Sequence, residues 1–282
     1  MKWQNLRRSS NVEDRRGTGR SATIAGGGIT IIAVVLYLLL GRDPGEILNS
    51  IQDPNQYQSG TVQTSPEEDL MAEMASAVLG STEDIWTAIF SNSGLTYQKP
   101  NLVLFSGAVQ SACGFAQSAT GPFYCSGDQK VYLDLTFFQE LSDRFGASGD
   151  FAQAYVIAHE VGHHVQNLLG TLDQVHQQMS QVSKKEANQL SVRLELQADF
   201  YAGLWAHYAE AASGFMERGD LEEALNAASQ IGDDRIQKKT QGHVVPDAFT
   251  HGSSAQRMKW FKKGFETGDP KLANEIMTTR NL

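Results

Sequence analysis

Two histidines and a glutamate within five residues are the strongest chemical signal in the sequence. In His159-Glu160-Val161-Gly162-His163 the histidines stand at positions i and i+4 of a predicted helix, so both imidazoles can reach one metal ion. Glu160 is rotated away and can reach a water on that metal without being a ligand. The flanking residues are apolar, and burying such groups is costly unless they are paired or bind metal. This disfavours the alternative of surface histidines on an amphipathic helix.

Two histidines leave a catalytic zinc site one protein ligand short. The third histidine of the HExxHxxGxxH pattern is absent, because Gln166 and Leu169 stand at its glycine and histidine positions. The better candidate is Glu195, which lies with Asp199 at i and i+4 on a second predicted helix. One of these carboxylates can bind the metal while the other hydrogen-bonds a ligand histidine. The alternative is an exposed acidic stripe.

These motifs resemble those of a known family. HEVGHH and ELQADFYAG, with RRSSNVEDRRG near the N-terminus and one apolar segment, are similar to the bacterial neutral zinc metallopeptidases of the YpfJ-like group over most of the chain. More distantly, HExxH followed by ExxxD resembles the gluzincin peptidases, both thermolysin-like and Ste24/HtpX-like. The resemblance implies His159, His163 and Glu195 as ligands of one zinc ion and Glu160 as the base. It implies Asp199 as a residue that supports a ligand histidine by a hydrogen bond.

A third segment extends the resemblance. Residues 249–257, FTHGSSAQR, are similar to the THPSxxxR segment of the Ste24/HtpX-like enzymes, although Gly252 stands where those enzymes have proline. By that resemblance His251 or Arg257 faces the substrate and stabilises the oxyanion of the tetrahedral intermediate. A structural alternative is that His251 caps the helix predicted to begin near Ser253.

An apolar segment near the N-terminus predicts a membrane anchor. Ala22–Gly41 contains no charged residue and has the ~20 residues that a helix needs to cross a bilayer. A cleaved signal peptide is the alternative, but the apolar run is too long and no small-residue cleavage site follows. Six Lys or Arg precede the segment, which predicts a cytoplasmic N-terminus and a body outside the cytoplasm. Together with the resemblance, this implies the inner membrane of a bacterium. The predicted divisions are a basic cytoplasmic tail (1–21), a transmembrane helix (22–41), a linker (42–65) and a zinc metallopeptidase domain (66–282).

The remaining patterns predict a mostly helical α+β domain, and the resemblance implies a zincin-like arrangement. Residues 102–109 and 130–135 are rich in β-branched and aromatic residues, which predicts a small sheet. An edge in region 101–135 could receive an extended peptide as an added strand, and residues 118–121 suit such an edge. Helix starts are predicted at Ser65 and Ser81. Further helices are predicted over 136–145, 150–169, 171–181, 184–213, 220–240, 254–267 and 270–278.

The two cysteines, Cys113 and Cys125, lie in the turn-rich stretch between the predicted strands. Outside the cytoplasm such a pair most simply forms a disulfide that closes a hairpin. The alternative is a cysteine-based metal site, but it lacks nearby Cys or His partners.

Charge and motifs together predict a membrane-anchored zinc endopeptidase that acts on a protein or peptide substrate and contacts lipid through its anchor. The net charge is −9, and the acids are concentrated in the body, which argues against nucleic-acid binding. Two alternatives stay open: a metal-dependent hydrolase of non-peptide amides such as cell-wall components, and a noncatalytic membrane-tethered binding protein. Glu160 argues against the second, because a structural zinc needs no base. The oligomeric state is left open.

Overall fold

The computed structural model describes residues 1–17, 64–280 and 282. The predicted transmembrane helix (22–41) lies outside these residues, as does almost all of the predicted linker (42–65). No helix within the described residues is long and apolar enough to cross a membrane. These residues form the mostly helical α+β fold with small sheets that the sequence predicted.

One sheet of four strands stands at the side of the helices. Its order is β1-β2-β6-β5, with β1, β2 and β6 parallel and β5 antiparallel to β6, while β3 and β4 form a separate hairpin. The predicted strand 102–109 is divided between β2 and β3, because the N–H of Gly107 turns aside to the Asp134 carboxylate at 2.8 Å. The expectation of a strand edge at 118–121 is wrong, since Ser118–Thr120 is a 3₁₀ turn. The strands are β1 (Val12–Asp14), β2 (Asn101–Phe105), β3 (Ala108–Ser111), β4 (Gly114–Gln117), β5 (Phe123–Cys125) and β6 (Lys130–Asp134).

The helices follow the predicted spans with two exceptions. A single helix, α1, replaces the two predicted from Ser65 and Ser81; it is capped by Ser65, whereas Ser81 is buried within it. The predicted helix 220–240 is divided into α6 and α7, because the N–H of Asp233 donates to the carbonyl of Gly252 at 2.9 Å. The helices are α1 (Pro66–Asn92), α2 (Thr136–Asp143), α3 (Asp150–Leu168), α4 (Thr171–Met179), α5 (Lys184–Ser213), α6 (Asp220–Gln230), α7 (Asp233–Gln241), α8 (Ser254–Thr267) and α9 (Ala273–Thr278).

Residues 1–17 pack against the domain, although the sequence assigned them to a separate tail. Trp3 is only 6% exposed and joins the main apolar core. Strand β1 pairs in parallel with β2, with Val12 opposite Leu102. The amino group of Met1 lies 2.8 Å from the carboxylate of Asp150 at the start of α3. Burial of apolar side chains and pairing of strand hydrogen bonds therefore join this segment to the body.

Helices α3 and α5 form the centre of the domain and carry the candidate site. Large apolar side chains on both helices are fully buried, including Phe151 and Trp205. The two helices approach closely at Gly162, where an added Cβ would lie 2.9 Å from the carbonyl oxygen of Ala198. The glycine of the HEVGH motif therefore permits the short distance between the helices that bear the metal-ligating residues.

The predicted disulfide between Cys113 and Cys125 is present, with a Cα–Cα distance of 5.8 Å. It joins the turn between β3 and β4 to the end of β5. The bond therefore attaches the hairpin to the edge of the main sheet.

Candidate metal centre

The structure brings together the three residues predicted to bind metal. His159 and His163 lie one turn apart on α3, and Glu195 faces them from α5. A ligand atom from each of the three lies within 4.8 Å of the others. The Nε2 atom of His159 is 3.2 Å from one Glu195 oxygen, and the Nε2 atom of His163 is 3.5 Å from the other. His159 and Glu195 are buried and His163 is half-buried, so the cluster is largely removed from solvent and is most exposed at His163.

Hydrogen bonds to the Nδ1 atoms of the two histidines direct their Nε2 atoms toward the predicted metal position. The Nδ1 atom of His159 lies 2.8 Å from Asp199 Oδ1, and that of His163 lies 2.9 Å from Gln166 Oε1. Both partners can accept a hydrogen bond, which assigns a proton to Nδ1 of each ring. The Nε2 atoms then face Glu195, where a protonated ring donates to the carboxylate in the metal-free protein and a neutral ring can bind a metal ion. The donor set of two imidazoles and one carboxylate fits a catalytic Zn²⁺.

Gln166 is a functional candidate that the sequence reasoning missed. Its side chain is fully buried, and its amide donates to the carbonyl of Leu194 at 2.6 Å and to Gln197 Oε1 at 3.1 Å. These two bonds orient its oxygen toward His163. The available signal was an amide three residues after His163, on the same face of the helix.

Asp199 is the centre of a buried network, as its predicted supporting role requires. It accepts hydrogen bonds from Tyr155 Oη at 2.5 Å and from the Arg257 guanidinium at 2.8 and 2.9 Å, besides the bond to His159. Arg257 is 2% exposed and also donates to the Ile231 carbonyl. The Arg257 guanidinium is thus engaged by the network beneath the site, and its predicted role toward the substrate stays a prediction.

The charges of the cluster shift the pKa values of its members. Burial raises the pKa of the Glu195 and Asp199 carboxyls, but the adjacent histidines and Arg257 outweigh it and lower both, that of Asp199 to about 2. Burial lowers the pKa of His159, but Asp199 and Glu195 raise it to about 9. Glu160 differs, because burial dominates and its pKa is raised despite the two histidines nearby. A carboxyl group with a raised pKa beside a metal-ligand cluster is suited to accept and return a proton.

His251 lies beside the cluster on a loop that Asp233 holds in place. One oxygen of Asp233 accepts the backbone N–H groups of residues 250–252 at 2.6 to 3.0 Å, and the other lies 3.2 Å from His251 Nδ1. Gly252 adopts φ +94°, which the proline of the similar segment cannot adopt. The helix α8 is capped by Ser253, so His251 does not cap it. Asp233, 18 residues from His251, was not identified from the sequence.

Comparisons with known proteins identify the family of the chain. The profile of the family described as "Putative neutral zinc metallopeptidase" matches residues 1–276. The chain is 48% identical to the uncharacterized protein YpfJ of Escherichia coli K12, over 97% of this chain and 98% of that protein. It is 40% identical to the uncharacterized proteins Mb2605 of Mycobacterium bovis and Rv2575 of Mycobacterium tuberculosis H37Rv, over 84% of each chain. No solved structure matches it. The chain therefore belongs to the neutral zinc metallopeptidase family.

Proposed function

We propose that this protein is a zinc-dependent endopeptidase that binds one zinc ion through His159, His163 and Glu195. The observation that carries the proposal is the convergence of these three donors, together with a hydrogen-bond acceptor at the Nδ1 atom of each histidine. Glu160 lies next to them without belonging to the ligand set. Three protein ligands and a free carboxylate are typical of a catalytic zinc site, whereas a structural site is closed by four ligands.

In this proposal Glu160 transfers the protons of the reaction. Zinc, when bound, would activate a water molecule and polarise the scissile carbonyl. Glu160 would accept the proton of the attacking water and deliver it to the leaving amine. Its burial and raised pKa suit a group that must hold a proton between these two events.

His251 is the proposed donor to the oxyanion, in preference to Arg257. Asp233 and Thr250 contact its Nδ1 atom at 3.2 and 3.0 Å, which leaves Nε2 available. Burial lowers the pKa of His251, but Glu195 and Asp233 raise it above its ordinary value and favour the protonated ring. A protonated ring carries a hydrogen on Nε2 that can stabilise the developing negative charge.

A peptide substrate is favoured over a non-peptide amide by the position of β5. Among the described strands, β5 pairs only with β6 and forms the edge of the sheet. Tyr124 on β5 contacts Asn167 and His164 of α3 through its hydroxyl group, both at 3.0 Å, so this edge runs beside the helix that carries the histidines. An extended peptide could add to the edge by main-chain hydrogen bonds while its scissile bond lies over the site.

We also propose that the enzyme works at a membrane and outside the cytoplasm. The apolar residues 22–41 support membrane attachment. The Cys113–Cys125 disulfide supports an oxidising compartment, because such bonds are rare in the cytoplasm.

The test compares two isosteric substitutions in the full-length protein. Glu160→Gln keeps all three ligands, so zinc should remain bound at one equivalent while hydrolysis of an unfolded protein substrate falls by ~10²–10⁴. Glu195→Gln removes the anionic ligand, so the affinity for zinc itself should fall. Zinc content is measured by elemental analysis, and turnover is measured before and after chelation and zinc replacement.

Glu266→Gln on α8 is the matched control, because that side chain is 58% exposed and pairs with Lys262 at the surface. It should leave both zinc content and turnover unchanged. Zinc content below a tenth of an equivalent after supplementation would contradict the metal site. Hydrolysis of cell-wall amides without hydrolysis of any protein would instead support the alternative hydrolase.

A further inference from the structure

The N-terminal segment completes the sheet of the domain. Strand β1 lies at the edge opposite β5, and Val12, Glu13 and Asp14 pair in parallel with residues 102–104 of β2. The N–H of Leu102 donates to the carbonyl of Asn11, and the N–H of Arg15 donates to that of Leu104, both at 2.8 Å. These bonds continue the ladder on both sides of the strand, so residues 11–15 are an integral part of the fold.

A buried carboxylate in α1 also depends on this segment. The Glu83 side chain is 1% exposed and accepts hydrogen bonds from Ser9 at 2.5 Å, from Asn11 at 2.7 Å and from Arg7 at 2.7 Å. Without these residues its nearest cation would be Lys99 at 3.6 Å. A buried carboxylate without hydrogen-bond donors is strongly unfavourable. The RRSSN part of the N-terminal motif therefore supplies partners that the domain requires.

The N-terminal segment ends beside the start of the domain. Arg16 donates to Asp69, in the first turn of α1, at 3.0 Å. The described chain breaks off at Gly17 and resumes at Thr64, two residues before α1 begins. Its two ends, before and after the apolar segment, therefore lie on one patch of the domain surface.

This packing is incompatible with a single membrane crossing between the two ends. A helix that crosses ~30 Å of hydrocarbon leaves its ends on opposite faces of the bilayer. Residues 42–64 are unsuited to a return crossing, because they contain Arg42, Asp43 and Glu46 and two prolines. Segments separated by a bilayer cannot pair as β1 and β2 do.

We propose that residues 1–17 and the metallopeptidase domain lie on the same side of the membrane. This topology replaces the single crossing with a cytoplasmic N-terminus that the charge asymmetry predicted. Much of that charge has a structural explanation, because Arg7, Arg15 and Arg16 form ion pairs with acidic residues of the folded protein. The proposal rests on the membrane attachment proposed above and depends neither on zinc nor on peptidase activity.

Cysteine labelling in membranes tests the proposal. Ser10→Cys places a thiol at an exposed position of the N-terminal segment, and Lys262→Cys places one on α8, where the native side chain is 54% exposed. The native cysteines form the disulfide and do not react with maleimide. Each variant is treated with a membrane-impermeant maleimide in spheroplasts and in inverted vesicles.

Both thiols should be labelled in the same preparation and protected in the other, and both should be labelled after detergent is added. Labelling of the two thiols in opposite preparations would overturn the proposal. Full-length protein that remains in the supernatant when membranes are sedimented would overturn the membrane attachment. If Ser10→Cys does not react in detergent, Gln4→Cys offers a second exposed position in the same segment.

Discussion

Asp199→Asn is predicted to destabilise the whole domain, because it isolates a buried charge. Arg257 is 2% exposed, and Asp199 is its ion-pair partner in the described structure, at 2.8 Å. An asparagine keeps the shape of the side chain but removes the charge and one acceptor oxygen. Removing one partner of a buried ion pair costs ~3–5 kcal/mol, against a total stability of ~5–15 kcal/mol. For a domain of this size the melting temperature should fall by roughly 6–20 °C.

A double variant and a control separate this effect from a general loss of charge. Asp199→Asn combined with Arg257→Met removes both charges and should recover at least half of the lost stability, since contacting residues are energetically coupled. Asp247→Asn is the control, because Asp247 pairs with Lys185 at the surface, with the two side chains 62% and 58% exposed. Such a pair contributes ~0–1 kcal/mol.

The assay is thermal or urea unfolding of metal-free protein, so that zinc binding does not contribute to the measured stability. If the only role of Asp199 were to orient His159, its replacement would weaken zinc binding by roughly 10–100-fold without a comparable loss of stability. The reasoning is refuted if Asp199→Asn is within ~1 kcal/mol of Asp247→Asn. It is also refuted if the double variant is as unstable as the sum of the two single variants.

Three further predictions concern the support of the site and of the N-terminal segment. Gly162→Ala introduces a Cβ 2.9 Å from the Ala198 carbonyl oxygen, so it should lower the free energy of unfolding in urea by ~1–3 kcal/mol and weaken zinc binding in a titration. An unchanged unfolding free energy and zinc affinity would show that the two helices can separate freely. The pKa of Glu83 is lowered, because its hydrogen bonds outweigh burial, so its contribution to stability is present above pH 4.5 and is lost as the pH falls below that value. The difference in unfolding free energy between wild type and Glu83→Gln should therefore narrow at acidic pH, and a difference that does not change with pH would contradict this. Replacing Cys113 and Cys125 by serine should remove ~3 kcal/mol of stability, because a short closed loop is lost. Unfolding of this variant is compared with that of wild type with and without reductant, and an equal unfolding midpoint for all samples would contradict the prediction.

The parts of the site that lie within one helical turn could be predicted from the sequence. His159 and His163 are four residues apart, and helix geometry alone places their side chains on one face. The same periodicity paired Glu195 with Asp199. The disulfide could be predicted because the chain has two cysteines in one turn-rich stretch.

Most contacts between different elements could not be predicted in that way. Tyr155 meets Asp199 across 44 positions, and Arg257 meets it across 58. Asp233 holds the loop of His251 across 18 positions, at the point where a predicted helix is divided in two. Each of these contacts depends on how the helices pack, and no local pattern encodes that packing.

The N-terminal segment shows the difference most clearly. The sequence by itself determined the metal-ligand motif, the helical character of the domain and the presence of an uncharged apolar segment. It also indicated a basic tail, because a count of charges along the sequence does not show which acidic residue pairs with each arginine. Only the tertiary structure placed Arg7 against Glu83, 76 residues away, and β1 against β2. The physical reason is that buried ion pairs and strand pairs form between distant parts of the chain, whereas periodicity and composition report only on neighbours.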